Sequence, residues 1–200
     1  MQIELRENKV IIDGYVNAVE RESNLLRDAE GQFVEIVKAG TFGRALERAK
    51  AIGQPVKVLL NHHMDKTITV STDDNCVLTE DSIGLHIHLE TEEPEVVQRA
   101  NDDTLVGWSF GFLPLAQNMI AGNPRRRELR DINLIEVSLL DNTKRPAYDG
   151  TSVEIRENEY YETRDYEDAE INKTVVEEHK EEEKKDLNAS YKNRILTTMI

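Results

Sequence analysis

Residues 83–90 read IGLHIHLE, with Leu85, Ile87 and Leu89 alternating against His86 and His88. A period of two is the signature of a half-buried strand, because successive side chains leave a strand on opposite faces. The same short apolar alternation recurs on both sides, in IELRE (3–7), VIIDGYV (10–16), FVEIV (33–37), TITVST (67–72), LVGWSFGF (105–112) and LIEVSLL (134–140). Turn signals punctuate these runs: Asp13-Gly14 inside one of them predicts a bend or bulge, and Asp73-Asp74-Asn75 and Gly122-Asn123-Pro124 predict hairpin tips. Two helices interrupt the strands. Residues 41–51 follow Gly40, take Thr41 as N-cap and set Phe42, Ala45, Leu46 and Ala49 on one face, and Gly53 and Pro55 end them. Residues 93–101 open with Glu93-Pro94 and stack Val97 on Ala100. The expected fold class is α+β: a small, mostly antiparallel, strongly curved β-barrel with a few inserted helices.

Working outward, the charge is uneven. The chain of 200 residues carries 25 Lys+Arg against 39 Asp+Glu, a formal net charge of −14, which argues against nonspecific binding to nucleic acid or an anionic membrane. Residues 151–200 hold 22 charged residues in 50, against 42 in the first 150. EEHKEEEKKD (177–186) has almost nothing apolar to bury and reads as a solvated helix or a disordered stretch. The expected organisation is a folded domain over 1–150 and an acidic tail over 151–200, whose apolar close YKNRILTTMI (191–200) has the character of a short docking helix. One cysteine, Cys76, forms no internal disulfide and carries no local sign of an activated thiol. The opening MQIELRENKVIIDG has no basic region followed by a long apolar run, and no stretch reaches the ~18 apolar residues of a spanning helix, so neither export nor a membrane anchor is expected.

Three features carry candidate chemistry. Four of the five histidines fall between 62 and 88; His62, His63, His86 and His88, with Asp65, offer ligands of the type zinc accepts, although surface or structural histidines explain them as well. In VGWSFGF (106–112), Trp108 and Phe110 point opposite to Ser109, and Gly107 and Gly111 share the serine's face, leaving space beside its hydroxyl. That suits a nucleophile, although a small residue between close sheet layers is the commoner reason for such a pattern. In LIEVSLL, Glu136 and Ser138 share a face inside an apolar strand, where the carboxylate orients a histidine or forms an ordinary ion pair. Arg125-Arg126-Arg127 after the turn offers donors to an oxyanion or a solvated, salt-bridged hairpin.

In this order and spacing the segments resemble the prohead maturation serine proteases of tailed bacteriophages, relatives of the herpesvirus assemblins. The resemblance runs over roughly residues 10–150 and rests on VIIDGYV, EIVKAGTFGRALE, VKVLLNHHMDKTI, EDSIGLHIHLE, VGWSFGF and INLIEVSLLDNTKRPAY. The family's Asn-His-Asp, Ser-Phe/Ile-Gly-Phe and Glu-Val-Ser…Pro-Ala steps correspond here to Asn61-His62, Ser109-Phe110-Gly111-Phe112 and Glu136-Val137-Ser138 with Pro146-Ala147. Carried over position by position, it implies an assemblin-like fold, His62 as general base, Ser109 as nucleophile and Glu136 as third member. His63 stands where an acid usually follows the histidine, so His63 is a rival base and Asp65 a rival acid.

The resemblance further implies a serine endopeptidase without cofactor, working inside the procapsid in the host cytoplasm. It would cleave the scaffolding segment from the major capsid protein, and itself; the relatives' dimers leave a homodimer open. Two other readings stand beside it: a catalytically silent assembly module on the same fold, and a metal-dependent hydrolase built on His62, His63, His86 and His88.

Overall fold

The structure, a computed structural model, describes residues 1–144, 153–156, 159–167 and 172–176. In chain order they form β1 (Gln2–Arg6), β2 (Lys9–Ala18), β3 (Leu26–Asp28), β4 (Gly31–Val37), α1 (Thr41–Ala51), β5 (Lys57–Leu60), β6 (Thr67–Val70), β7 (Cys76–Glu80), β8 (Gly84–Thr91), α2 (Pro94–Asn101), β9 (Leu105–Ile120), β10 (Arg125–Asp141), β11 (Val153–Arg156), β12 (Glu159–Glu167) and β13 (Asn172–Val176). The expected tail segments 177–186 and 191–200, and Pro146-Ala147, lie outside the described residues. Beyond residue 150, β12 pairs with β9 and β13 runs parallel to β1. None of the described helices is long and apolar enough to cross a membrane.

The strands make two sheets, and this corrects the expected barrel. One sheet has the order β13-β1-β2-β8-β7; the other has the order β11-β12-β9-β10-β4-β3, with β5 pairing β10 and β6 pairing β5. Among the described residues no ladder joins the terminal strands, so neither sheet closes on itself and the molecule is mostly β with two helices. Asp73-Asp74-Asn75 shows why the expectation failed. It is no hairpin tip: β6 belongs with β5 and β7 with β8, so this turn carries the chain from one sheet to the other. Thr69 Oγ1 bonds to Asp73 Oδ2 at 2.9 Å and Asn75 Oδ1 at 2.7 Å, and Asn75 Nδ2 donates to the Glu90 carbonyl at 3.0 Å.

The alternation in β8 does what its period demands. Leu85, Ile87 and Leu89 are fully buried and join Ile12, Val58, Phe110, Phe112 and Leu139 in one core cluster that draws on both sheets. Phe42 of α1 meets Phe110 edge to face at 5.2 Å, and Phe110 stacks on Phe112 at 5.2 Å.

Helix α1 spans the residues its spacing predicts, but Thr41 is not its cap. Gly40 holds that position with φ 80°, a left-handed conformation that glycine adopts without steric cost. The first-turn amides are met from another strand: Glu80 of β7 accepts from Gly40 N and Gly43 N, both at 2.6 Å. A carboxylate there satisfies two orphan donors and complements the helix dipole. Thr41 Oγ1 instead donates to the carbonyls of Leu129 and Arg130, while Arg44 binds the Arg130 carbonyl and Arg48 the Ile132 carbonyl. These contacts fill a gap. The edge of β10 is paired in parallel by β4 at 125–129 and by β5 at 136–139, and the stretch between them has side chains of α1 where a strand would be.

The β9–β10 hairpin turns at Gly122-Asn123-Pro124 as expected, with Ile120 opposite Arg126. Its register shifts at Leu129/Asp131, Asp131/Ile132 and Leu134/Glu136, and each such irregularity bends and twists a ladder. Arg127 lies level with Met119, whereas Glu162 lies level with Phe112. Seven residues of straight strand would separate those levels by roughly 20 Å. Arg127 nevertheless bonds Glu162 at 2.7 Å, so the hairpin folds back at its bulges.

Candidate active site

The parallel pairing of β5 with β10 builds the site. Glu136, Val137, Ser138 and Leu139 lie level with Lys57, Val58, Leu59 and Leu60, so the residues that follow β5 emerge beside Ser138. There the chain turns sharply: Asn61 and His62 both take positive φ, 53° and 60°. Asn and His are among the residues that tolerate this region best, yet such a conformation costs of order 1–3 kcal/mol and must be held from outside. It is held on several sides. Asn61 N donates to the Leu139 carbonyl at 2.9 Å, Asn61 Oδ1 accepts from Asp141 N at 3.0 Å, and His62 N donates to Ser138 Oγ at 3.1 Å.

The turn points the His62 ring at Glu136. His62 Nδ1 lies 2.8 Å from Glu136 Oε1, and Ser138 Oγ donates to the other carboxylate oxygen, Oε2. Glu136 and Ser138 are fully buried and His62 nearly so. With a carboxylate fixed on Nδ1, the neutral imidazole carries its proton there, and Nε2 is left as the basic nitrogen.

Ser109 is the Cα partner of Ser138 across the β9–β10 ladder, and Gly111 is the partner of Glu136. Directly opposed residues share a face, so Ser109, Ser138 and Glu136 stand on one side of the sheet while Trp108 and Phe110 take the other. The serine hydroxyl is fully buried, and Ser109 Oγ and Trp108 Nε1 are the buried side-chain polar atoms without a hydrogen-bond partner among the described residues. The structure thus brings His62 to Glu136 and places Ser109 one strand away, with its hydroxyl uncommitted.

The rivals lie elsewhere. His63 is half-buried and its backbone closes the turn with Leu60 and Lys66, and Asp65 is exposed. The histidine cluster is divided between the sheets: His86 Nε2 and His88 Nδ1 each lie 3.0 Å from Asp13, on β8 and β2. Burial pulls the Asp13 carboxyl up, but the hydrogen bonds to His88 and His86 outweigh it and hold the group below its ordinary value. Among the described residues no three His, Cys, Asp or Glu converge in a way that could hold a metal ion.

The arginines near the turn are committed to carboxylates, which favours the salt-bridged hairpin of the two readings over donors to an oxyanion. Arg125 pairs with Asp28 and Glu30, and Arg126 with Glu22. Arg127 joins Glu35, Glu162 and Arg164 in a buried cluster, and there Arg164 also lies 5.1 Å over the Phe112 ring. This cluster ties β12 to β4 and β10. Sequence reasoning missed it, as it missed the Asn61–Asp141 anchor, because the partners come from strands whose pairing no local pattern announces.

A family model described as caudovirus prohead serine protease matches residues 1–166. No curated protein and no solved structure matches the chain.

Proposed function

Since this chain belongs to the caudovirus prohead serine protease family, we propose that it is a serine endopeptidase in which Ser109 is the nucleophile, His62 the general base and Glu136 the acid that orients it. The observation that carries the reading is the 2.8 Å contact between His62 Nδ1 and Glu136 Oε1, one strand from a buried serine whose hydroxyl has no hydrogen-bond partner among the described residues.

A serine hydroxyl is nearly inert near neutral pH until a base removes its proton as it attacks. In the proposed reaction Ser109 Oγ bonds to the scissile carbonyl carbon while its proton passes to His62 Nε2. Glu136 stabilises the imidazolium through Nδ1–H and keeps its own charge. Collapse of the tetrahedral intermediate breaks the carbon–nitrogen bond, and the leaving amine takes the proton from His62. Water, activated by the same imidazole, then attacks the acyl ester and restores Ser109. The polypeptide acted on is the scaffolding segment of the major capsid protein, inside the procapsid in the host cell, and the protease's own chain is a second substrate.

The test needs no added substrate. Wild type, Ser109→Ala and His62→Ala are purified identically and their intact masses followed with time. Wild type is expected to shorten to defined fragments while both variants stay whole. Equal fragmentation of all three would remove the assignment, and three stable chains would move the test to the same trio mixed with capsid protein.

A further inference from the structure

Ser138 has two commitments that the triad assignment leaves unused. Its hydroxyl donates its single proton to Glu136 Oε2 and accepts the His62 backbone N–H at 3.1 Å, all within a fully buried pocket. Both residues of the pair are thus tied to one atom. The donor bond occupies the carboxylate oxygen that His62 does not use, which fixes the rotation of the carboxylate and turns Oε1 toward Nδ1. The acceptor bond ties the backbone of His62, at φ 60°, to β10. A hydroxyl can do both at once because it has one donor and two acceptor sites; alanine can do neither.

We infer that Ser138 is the positioning residue of this site: through one hydroxyl it sets the Glu136 carboxylate and the left-handed His62 backbone relative to each other, and so aims the base. The inference rests on the proposed roles of His62, Ser109 and Glu136 and adds a fourth residue that touches no substrate. It also distinguishes the two serines that face each other across the ladder. Ser138 is engaged on both sides and so is no candidate for attack, whereas Ser109 Oγ has no partner among the described residues.

The probe is diisopropyl fluorophosphate, which reports base-assisted attack without a known peptide. The serine oxygen bonds to phosphorus, fluoride leaves, and the serine proton goes to the imidazole. Labelling of the full chain is followed by intact mass, and the modified residue is located by peptide mapping. Wild type is expected to label at Ser109, with no labelling of Ser109→Ala. Ser138→Ala should label the same residue with its limiting rate about 10²-fold lower and its half-saturating reagent concentration unchanged, the loss expected when a reacting group is misaimed. Ser138→Thr, which keeps the hydroxyl, should recover to within several-fold.

A second readout is independent of reactivity. The downfield proton resonance of His62 Nδ1–H, present in wild type and Ser138→Thr, should shift or broaden in Ser138→Ala. If Ser138→Ala does not fold, Ser138→Cys keeps the volume with a weak donor; it should label more slowly than both wild type and Ser138→Thr, and a wild-type rate overturns the positioning role. Ser138→Ala labelling at the wild-type rate with an unshifted His62 resonance overturns the positioning role and leaves the triad standing. A label found on Ser138 itself also overturns it, by making that residue the nucleophile. Failure of wild type to label, or undiminished labelling of His62→Ala, removes the triad reading and this inference with it.

Discussion

Arg164 grips Glu35 with two parallel bonds, Nε to Oε1 at 2.7 Å and Nη2 to Oε2 at 2.8 Å, across 129 positions of sequence. Glu35 is 3% exposed and Arg164 8%. Removing one partner of such a pair strands a charge in the interior, which costs about 3–5 kcal/mol. Glu35→Ala should therefore lower the midpoint of thermal unfolding by roughly 10 °C, taking about 2–4 °C per kcal/mol for a chain of this size. The double variant Glu35→Leu/Arg164→Met, which strands neither of these two charges, should regain much of the loss. Calorimetry of the two variants decides it: equal midpoints would mean that the pair is not what holds β12 in place.

Glu136→Gln keeps the shape of the orienting side chain and removes its charge. The amide presents no acceptor strong enough to hold the proton on His62 Nδ1 and no charge to stabilise imidazolium. The rate of self-cleavage or of phosphorylation by diisopropyl fluorophosphate should fall by about 10⁴-fold while the fold is retained. Near-wild-type turnover with unchanged circular dichroism would assign the acid elsewhere.

Asp141 carries a pH dependence of known sign. Burial pushes its carboxyl up, but bonds from Thr143, Arg99 and Asn61 outweigh this and bring it down from 3.8 to about 2. A depressed carboxyl stabilises the fold above its unfolded value, and the contribution is lost as pH falls through the folded value. Asp141→Asn should thus be less stable than wild type at pH 5, and the gap should narrow between pH 4 and pH 2. Urea unfolding at each pH measures it; a gap constant over that range would show that the charge of Asp141 contributes nothing.

Cys76 should be chemically silent. Burial, with a further push from Asp73, raises its thiol to about 12, so the reactive thiolate is scarce at ordinary pH. Iodoacetamide at pH 8 should leave the native chain unmodified over hours and label it within minutes in 6 M guanidinium. Rapid labelling of the native chain would place the thiol in contact with solvent.

Local pattern was enough to find the strands around Leu85, Trp108 and Val137, and helix α1 to the residue. It was not enough to assemble them. The outer half of β9, LPLAQNMI, lacks a clean alternation and its side chains are mostly exposed, so nothing in it announces a strand although it pairs with β10 along its length. β12 is too charged to read as a strand, and its Arg164 is buried in an ion pair with Glu35. The site divides the same way. Residue type and neighbourhood make Ser109, Glu136 and the histidines candidates, and the family resemblance picks His62, Ser109 and Glu136 from among them; the contact of His62 with Glu136 spans 74 positions and depends on a parallel β5–β10 register. The dual role of Ser138 depends on the positive φ of His62, which no sequence signal foretells.

The pairing of β9 with β12 has a kinetic consequence. From Gly107 to Phe112 the strand is laddered on one edge by β10 and on the other by β12, with Ser109 level with residue 165. An extended peptide seeking to add itself beside the serine therefore competes with a strand of the same chain. A tethered segment offers itself at an effective concentration on the order of millimolar. A free peptide at micromolar concentration would begin about a thousandfold behind, whereas a polypeptide crowded into a closed shell beside the protein would not.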